Sequence, residues 1–242
     1  MDMRLIDHLK DSTIGLLKAI TPQSVKCSIK AFYIMQLIRR QSRTSKEGFC
    51  VDGDGNILPW ITYPAIDFLN NIDFSHASVF EFGAGSSTQW WSAKAKSVKS
   101  VEMDHVWYKK VEKLNLPNVT IHLCDNGQNY PIFIQNYDEE FDVIIIDGAE
   151  RYRSAMNAVT KLNQNGIILL DNTEWYPNTA AFLRSKKLTQ IDFYGFTPFN
   201  SFPSVTSLFL NQNCDFFNMR INKEIDVIGG VRLKNGVLDD KE

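Results

Sequence analysis

Apolar and polar positions alternate along the chain in a way that predicts strands and helices in turn from residue 79 onward. The near-continuous apolar runs at 141–147 and 165–171 are typical of strands covered on both faces, and hence of a parallel sheet between two helical layers. The last two predicted strands, at 190–196 and 204–211, are joined by a loop too short for a crossover helix, so we expect them to be antiparallel. The predicted strands are 79–82, 97–102, 118–123, 141–147, 165–171, 190–196 and 204–211, and the predicted helices are 87–96, 105–114, 151–163 and 177–187. The pattern predicts an α/β fold with a doubly wound, mostly parallel seven-stranded sheet and an antiparallel last strand.

Two amphipathic stretches with basic side chains precede this alternation, at 4–20 and 24–42. Both patterns are typical of helices with one apolar face, and 42–46 is typical of a linker. We therefore predict a basic helical N-terminal extension at 1–46 and an α/β domain at 47–242. The extension has three open interpretations: packing on the domain, which we favour, pairing in a homo-oligomer, and weak contact with a membrane surface.

Composition and charge narrow the class of protein. The 242 residues are 44% hydrophobic and 22% charged, which are globular values. The net charge of −2 disfavours a nucleic-acid partner, although residues 1–46 hold nine basic against three acidic residues. The four cysteines are widely spaced, which favours a reducing compartment, and we predict a cytoplasmic location. The apolar run at 31–38 is far shorter than the roughly 20 residues of a membrane span, so no transmembrane segment is expected.

Acidic side chains follow five of the predicted strands at the point where each strand ends. In a doubly wound sheet, ligands bind off the carboxyl ends of the strands, near the point where the strand order reverses. The strand-end acids are Glu81, Glu102, Asp125, Asp147 and Asp171, and amides accompany two of them at Asn126 and Asn172. The sequence therefore predicts an acidic ligand site at this edge of the sheet.

The segment 80–88 predicts a strand, a tight turn and a helix start. Gly83 and Gly85 permit close backbone approach to a ligand. A dinucleotide site would have a third glycine where Thr88 stands. We expect Glu81 to place a carboxylate beside the ligand, which would repel a pyrophosphate but suit a cationic sulfonium. The alternative interpretation is a tight turn that needs glycine for structural reasons alone.

The next two strand ends suit a nucleoside. A carboxylate at Glu102 can accept both hydroxyls of a ribose, and Asp125 can reach the exocyclic amine of an adenine. The alternative is that both are solvated residues that cap helices.

The ordered segments VFEFGAGSST, SVEMD, LCDN, FDVIIIDGAE and GIILLDN resemble the class I, Rossmann-like, S-adenosylmethionine-dependent methyltransferases over about residues 80–175. The resemblance implies S-adenosyl-L-methionine as cofactor, with the glycine turn near its methionine part, Glu102 at the ribose and Asp125 at the adenine. It also makes Tyr63 a candidate for facing the cofactor carboxylate. The predicted cofactor-binding residues are Tyr63, Glu81, Gly83, Gly85, Ser86, Ser87, Glu102, Met103, Asp125, Asn126 and Asp147.

The last two strand ends resemble the Asp…Asp-Asn triad of divalent-metal-dependent O-methyltransferases of the catechol type, and of the family that methylates sugar hydroxyls on macrolide and aminocoumarin antibiotics. The resemblance implies Mg²⁺ on Asp147, Asp171 and Asn172, because two carboxylates and an amide supply hard oxygen ligands. The metal would lower the pKa of an acceptor hydroxyl. Glu150 stands where the sugar-modifying family usually has His or Asp, so the predicted catalytic set is Asp147, Glu150 and Asp171. The alternative is capping and hydrogen bonding without a metal.

The acceptor side is predicted at 172–180, at 194–203 and at the N-terminal helices. The two segments carry five aromatic residues, whose faces suit a sugar ring or a planar group, or a hydrophobic lid: Trp175, Tyr176, Phe196, Phe199 and Phe202. We predict O-methylation of a small molecule or saccharide. The alternatives are an NAD(P)-dependent oxidoreductase and a non-catalytic scaffold protein that keeps a nucleotide pocket.

Overall fold

The computed structural model describes residues 21–211, 214 and 227–230. The described residues fall into two compact units, one holding 21–40 with 227–230 and the other holding 41–211 with 214. The predicted helix at 4–20 lies outside the described residues.

The first unit contains helix α1, Gln23–Tyr33, which continues as a π-helical turn over Ile34–Ile38. No residue of either segment is buried. Arg40 adopts a left-handed backbone with φ of 49°, which a right-handed helix cannot include. The predicted helix at 24–42 therefore ends before that residue.

The second unit is built on one seven-stranded sheet, as predicted. Its strands are β1 Ser78–Phe82, β2 Ser97–Glu102, β3 Val119–Leu123, β4 Phe141–Ile146, β5 Leu162–Asp171, β6 Leu188–Gly195 and β7 Ser204–Asn211. Their spatial order is β3-β2-β1-β4-β5-β7-β6. The first five strands are mutually parallel, and β7 runs antiparallel to both of its neighbours. The predicted fold class is confirmed, including the antiparallel pairing of the last two strands.

Six helices accompany this sheet in the described part of the unit. They are α2 Gln41–Glu47, α3 Tyr63–Leu69, α4 Ser86–Ser92, α5 His105–Glu112, α6 Arg151–Ala158 and α7 Pro177–Ser185, with 3₁₀ turns at Tyr130–Asn136 and Thr173–Trp175. The prediction of a linker at 42–46 is wrong, because these residues form α2. Tertiary contacts account for the difference: the Gln41 amide donates to the carbonyls of Thr197 and Asn200, at 2.8 Å each.

The predicted helix at 151–163 is too long, because α6 ends at Ala158 and β5 begins at Leu162. After Leu162, the first residues of β5 are polar and partly exposed, so they lack the apolar run that predicted the rest of the strand.

The core covers both faces of the central strands, which explains their near-continuous apolar sequences. On one face Phe80 and Phe82 of β1 pack with Tyr130 and Ile134 of the first 3₁₀ turn and with residues of α6 and α7. Because side chains alternate along a strand, Glu81 points to the opposite face. Within the described residues, no helix is both long and apolar enough to cross a membrane.

Candidate functional site

A cavity of about 500 Å³ opens at the carboxyl ends of the parallel strands. It lies where β1 and β4 are neighbours, because the chain leaves β1 toward β2 and β3 and then crosses back to β4 and β5. This reversal is the usual ligand site of doubly wound sheets. The structure brings nine of the predicted site residues to the cavity wall: Gly83, Gly85, Ser86, Ser87, Glu102, Met103, Asp147, Asp171 and Asn172.

The turns after β1 and β4 touch each other through their backbones. Gly83 has φ of +96°, and a Cβ on it would lie 2.9 Å from the N and Cα atoms of Gly148. Only glycine combines that backbone with that approach. The next amide, the N–H of Ala84, donates to Glu102 Oε2 at 2.5 Å. The glycine turn is therefore held between β4 and the end of β2.

Glu81 lies behind the turn and outside the cavity wall. Its carboxylate is fully buried and accepts hydrogen bonds from the hydroxyls of Ser87, Thr88 (2.5 Å) and Ser100 (2.9 Å). Burial raises the pKa of Glu81 to about 7, although the three hydroxyl donors oppose the rise. The structure thus places this side chain as a link between β1, β2 and the first turn of α4.

Glu102 is nearly buried, with 8% of its surface exposed. Besides the Ala84 amide, it accepts the backbone N–H groups of Met103 (2.8 Å) and Asp104 (2.7 Å) at Oε1. Asp104 caps α5 by accepting two amides of its first turn. Trp107 on that turn also lines the cavity.

Besides Glu81, three predicted cofactor residues lie outside the cavity wall. Asp125 is exposed, and its Oδ2 lies 3.3 Å from Nε2 of His105. Asn126 uses its side-chain oxygen to accept the N–H of Gln128 at 2.8 Å. Tyr63 is buried at the start of α3. Their contacts with a cofactor stay predictions.

The ends of β4 and β5 converge on the guanidinium of Arg151, which is buried and 8% exposed. Its Nε donates to the Gly148 carbonyl at 3.0 Å, and Nη2 donates to the carbonyl and Oδ1 of Asp147 at 2.8 and 3.1 Å. Its Nη1 donates to Asn172 Oδ1 at 3.1 Å and to the Asp171 carbonyl. We call Asp147, Arg151, Asp171 and Asn172 the Arg151 cluster.

Both carboxyl groups of the Arg151 cluster have a raised pKa. Burial raises the pKa of Asp147 to about 6, and the positive charge of Arg151 opposes the rise. Burial and the charge of Asp147 together hold the pKa of Asp171 well above its ordinary value. The Thr206 hydroxyl donates to Asp171 Oδ1 at 2.6 Å and limits that rise.

Each residue predicted to bind Mg²⁺ already uses one side-chain oxygen as a hydrogen-bond acceptor in this arrangement. Asp147 Oδ1 and Asn172 Oδ1 accept from Arg151, and Asp171 Oδ1 accepts from Thr206. Among the residues that the structure describes, no group of three or more His, Cys, Asp or Glu side chains could hold a metal.

Glu150, predicted to act in catalysis, lies outside the cavity wall. Its backbone is left-handed with φ of 51°, and its partly exposed carboxylate lies 3.5 Å from Arg153.

Aromatic side chains form the outer rim of the cavity. Trp175 and Phe202 both line it, with ring centroids 6.4 Å apart. Trp60 also lines it and packs on Phe199 at 4.7 Å. Tyr176 lies instead over the Arg151 guanidinium, 4.5 Å from the ring centroid to Cζ.

Sequence reasoning missed several residues of the site. Arg151 lies four residues after Asp147, but the helix begins only at Arg151, so helical spacing did not indicate the ion pair. Trp60 and Asn200 gave no local signal either, because loops distant in sequence bring them to the cavity.

No family model and no curated protein matches the sequence. Among solved structures, precorrin-6y C5,15-methyltransferase from Geobacter metallireducens is similar, with a TM-score of 0.50 and 14% identity over 69% of this chain and 95% of that one. An rRNA methylase from Streptococcus thermophilus gives a TM-score of 0.46 and 16% identity over 64% of this chain and all of that one, 100%. The structure of SMU.1697c from Streptococcus mutans in complex with SAH gives a TM-score of 0.45 and 16% identity over 62% of this chain and 99% of that one. At these identities the likeness shows the fold alone. The chain therefore has a Rossmann-like fold that methyltransferases also use.

Proposed function

We propose that this chain is an S-adenosyl-L-methionine-dependent methyltransferase. The observation that carries the proposal is the cavity at the strand ends, where the Gly83 turn meets the Glu102 carboxylate. Four carboxyl side chains and one guanidinium line this cavity, so its field favours a cationic ligand. The sulfonium cofactor is such a cation, and when bound it supplies the methyl group. The fold likeness to a precorrin methyltransferase supports the proposal by analogy.

In this proposal the residues after β1 and β2 hold the cofactor. The Glu102 carboxylate is oriented in advance by three backbone amides, and Oε2 accepts only one of them, so a lone-pair site remains for a ribose hydroxyl. The turn from Gly83 to Ser87 surrounds the methionine part. Met103 and Trp107 supply apolar walls for the adenine.

We propose that the acceptor is an oxygen of a small molecule or saccharide. The support is the aromatic rim, where Trp175 and Phe202 offer ring faces beside the acidic strand ends. Contact of the N-terminal extension with a membrane surface, its pairing in a homo-oligomer, the absence of a nucleic-acid partner and the cytoplasmic location stay predictions.

The proton of an acceptor hydroxyl must leave as the new oxygen–carbon bond forms. Because the charge of Asp147 raises the pKa of Asp171, the two carboxyl groups titrate as a pair. Such a pair, with the pKa of Asp147 raised to about 6, is suited to accept a proton near neutral pH. We therefore place the proton on this pair. Glu150 is left out because it lies outside the cavity wall.

The test is isothermal calorimetry of the full chain with S-adenosylhomocysteine, with NAD⁺ as the competing ligand class. We expect micromolar binding of the first and none of the second. Glu102→Gln keeps the shape of the side chain but loses the charge that orders the turn, and it should weaken binding about 5- to 150-fold, the scale of 1–3 kcal/mol for an impaired buried contact.

Glu112→Gln is the matched control, because Glu112 on α5 is exposed and lies outside the cavity wall. It should leave the dissociation constant unchanged. Binding of NAD⁺ alone would favour the oxidoreductase alternative, and binding of neither ligand would favour the scaffold alternative.

A further inference from the structure

Arg151 has no donor left for a ligand. A guanidinium has five N–H groups, and the chain accepts all five: one at Gly148, two at Asp147, one at the Asp171 carbonyl and one at Asn172. An arginine that recognised an anionic substrate would keep part of its fork open toward the cavity. Arg151 therefore acts on the chain itself.

The acceptors of Arg151 are those a hard cation would take. They are carboxylate, amide and carbonyl oxygens, gathered from the ends of β4 and β5. Such a mixed oxygen set is the usual ligand set of Mg²⁺ or Ca²⁺. The guanidinium donates to each of these oxygens, and the ring of Tyr176 lies over it, with the ring centroid 4.5 Å from Cζ.

The charge balance of the cluster also depends on Arg151. Asp171 is buried, Asp147 keeps 24% of its side chain exposed, and the negative charge of Asp147 disfavours the ionised form of Asp171. One positive charge between the strand ends offsets this repulsion without a metal.

We infer that Arg151 takes the place of a divalent cation at the ends of β4 and β5, as a positioning residue that orients Asp147 and Asn172. The site consequently binds no Mg²⁺ or Mn²⁺. The lack of metal binding follows from the Arg151 contacts alone, whereas the conclusion that methyl transfer needs no metal at this site rests on the function proposed above.

The first experiment titrates Mg²⁺ and Mn²⁺ into the chelator-treated full chain by calorimetry, with S-adenosylhomocysteine titrated into the same samples. We expect no metal binding, and the same affinity for S-adenosylhomocysteine with and without EDTA. Saturable metal binding at micromolar to low-millimolar concentration would overturn the inference. Failure of S-adenosylhomocysteine to bind would count against the proposed function, and the metal titration would still test the inference about Arg151.

The second experiment converts the site. Arg151→Ala frees the oxygens of Asp147, Asp171 and Asn172, and Mn²⁺ should then raise the Tm of the variant by about 5–10 °C at a hundredfold excess over its Kd. Arg151→Lys keeps the charge and should show no metal response. Arg153→Ala removes an exposed arginine on the same helix and serves as the control.

A folded Arg151→Ala protein whose Tm does not respond to Mn²⁺ would contradict the inference. If this variant does not fold, the titration of the wild-type chain still decides the matter, because metal binding there overturns the inference and its lack upholds it.

Discussion

Glu81 is a carboxyl group that the folded chain keeps out of water, with three hydroxyl donors as its partners. Burial destabilises the ionised form more than these donors stabilise it, so the pKa of Glu81 rises from 4.5 to about 7 on folding. A pKa that is higher in the folded state means that the folded state binds the proton more tightly. The stability that this proton contributes is present below pH 4.5 and is lost as the pH rises through about 7.

Glu81→Gln tests this effect. The amide cannot ionise, and the neighbouring hydroxyls can each donate or accept, so the pocket should tolerate it. Wild-type stability should fall between pH 5 and pH 8 by up to about 3 kcal/mol more than that of the variant, from the size of the pKa shift. Urea unfolding at both pH values measures the difference. Glu140→Gln, at an exposed carboxylate, should keep the wild-type slope, and equal slopes in all three proteins would contradict the argument.

At the scale of the secondary-structure elements, the turns after β1 and β4 are packed against each other. Gly83 and Gly148 meet backbone to backbone, and a Cβ on Gly148 would also clash with the hydroxyl of Tyr130. Neither turn can move outward without breaking the Ala84–Glu102 contact or the Arg151 contacts. The cavity floor is therefore shaped before any ligand arrives.

Gly83→Ala and Gly85→Ala should differ in their effects on folding. At Gly83 the positive φ and the 2.9 Å approach should together lower the free energy of unfolding by about 1–3 kcal/mol. At Gly85 the backbone is extended and a Cβ would lie 3.7 Å from the nearest atoms, so the change should stay within about 0.5 kcal/mol. Chemical unfolding compares the two variants, and similar losses in both would refute the close-approach argument.

At the scale of the whole molecule, the sheet and the cavity belong to one of the two units. The described helix of the other unit, α1, buries no residue and exposes Ile29 and Phe32. Every described residue of the cavity wall lies between positions 60 and 202. The binding of a cofactor should thus be a property of the second unit alone.

Removal of residues 1–40 tests that separation. The shortened chain should keep its affinity for S-adenosylhomocysteine within about twofold, well under the tenfold that 1.4 kcal/mol represents. Calorimetry of both chains gives the comparison, with thermal unfolding to show that the shortened chain is folded. A folded but tenfold weaker binder would mean that the extension contributes to the site.

The sequence predicts the strands well and the side-chain directions less well. The central strands are near-continuous apolar runs because they are buried on both faces, and that signal is local. Glu81 interrupts such a run between Phe80 and Phe82, and its burial depends on hydroxyl partners from α4 and β2 that the run itself does not show. The partners of Arg151 come from two strand ends joined only by the fold, so the apparent metal ligands could not be distinguished from ligands of an arginine by spacing alone.

The placement of the tryptophans gives the molecule an optical property. Three of the five, Trp60, Trp107 and Trp175, line the cavity, whereas Trp90 and Trp91 are buried against each other at 4.8 Å. We expect the buried pair to emit at a constant, shorter wavelength, and the other three indoles to change their emission when a ligand fills the cavity. Intrinsic fluorescence should therefore report occupancy of the cavity, with no label attached to the chain.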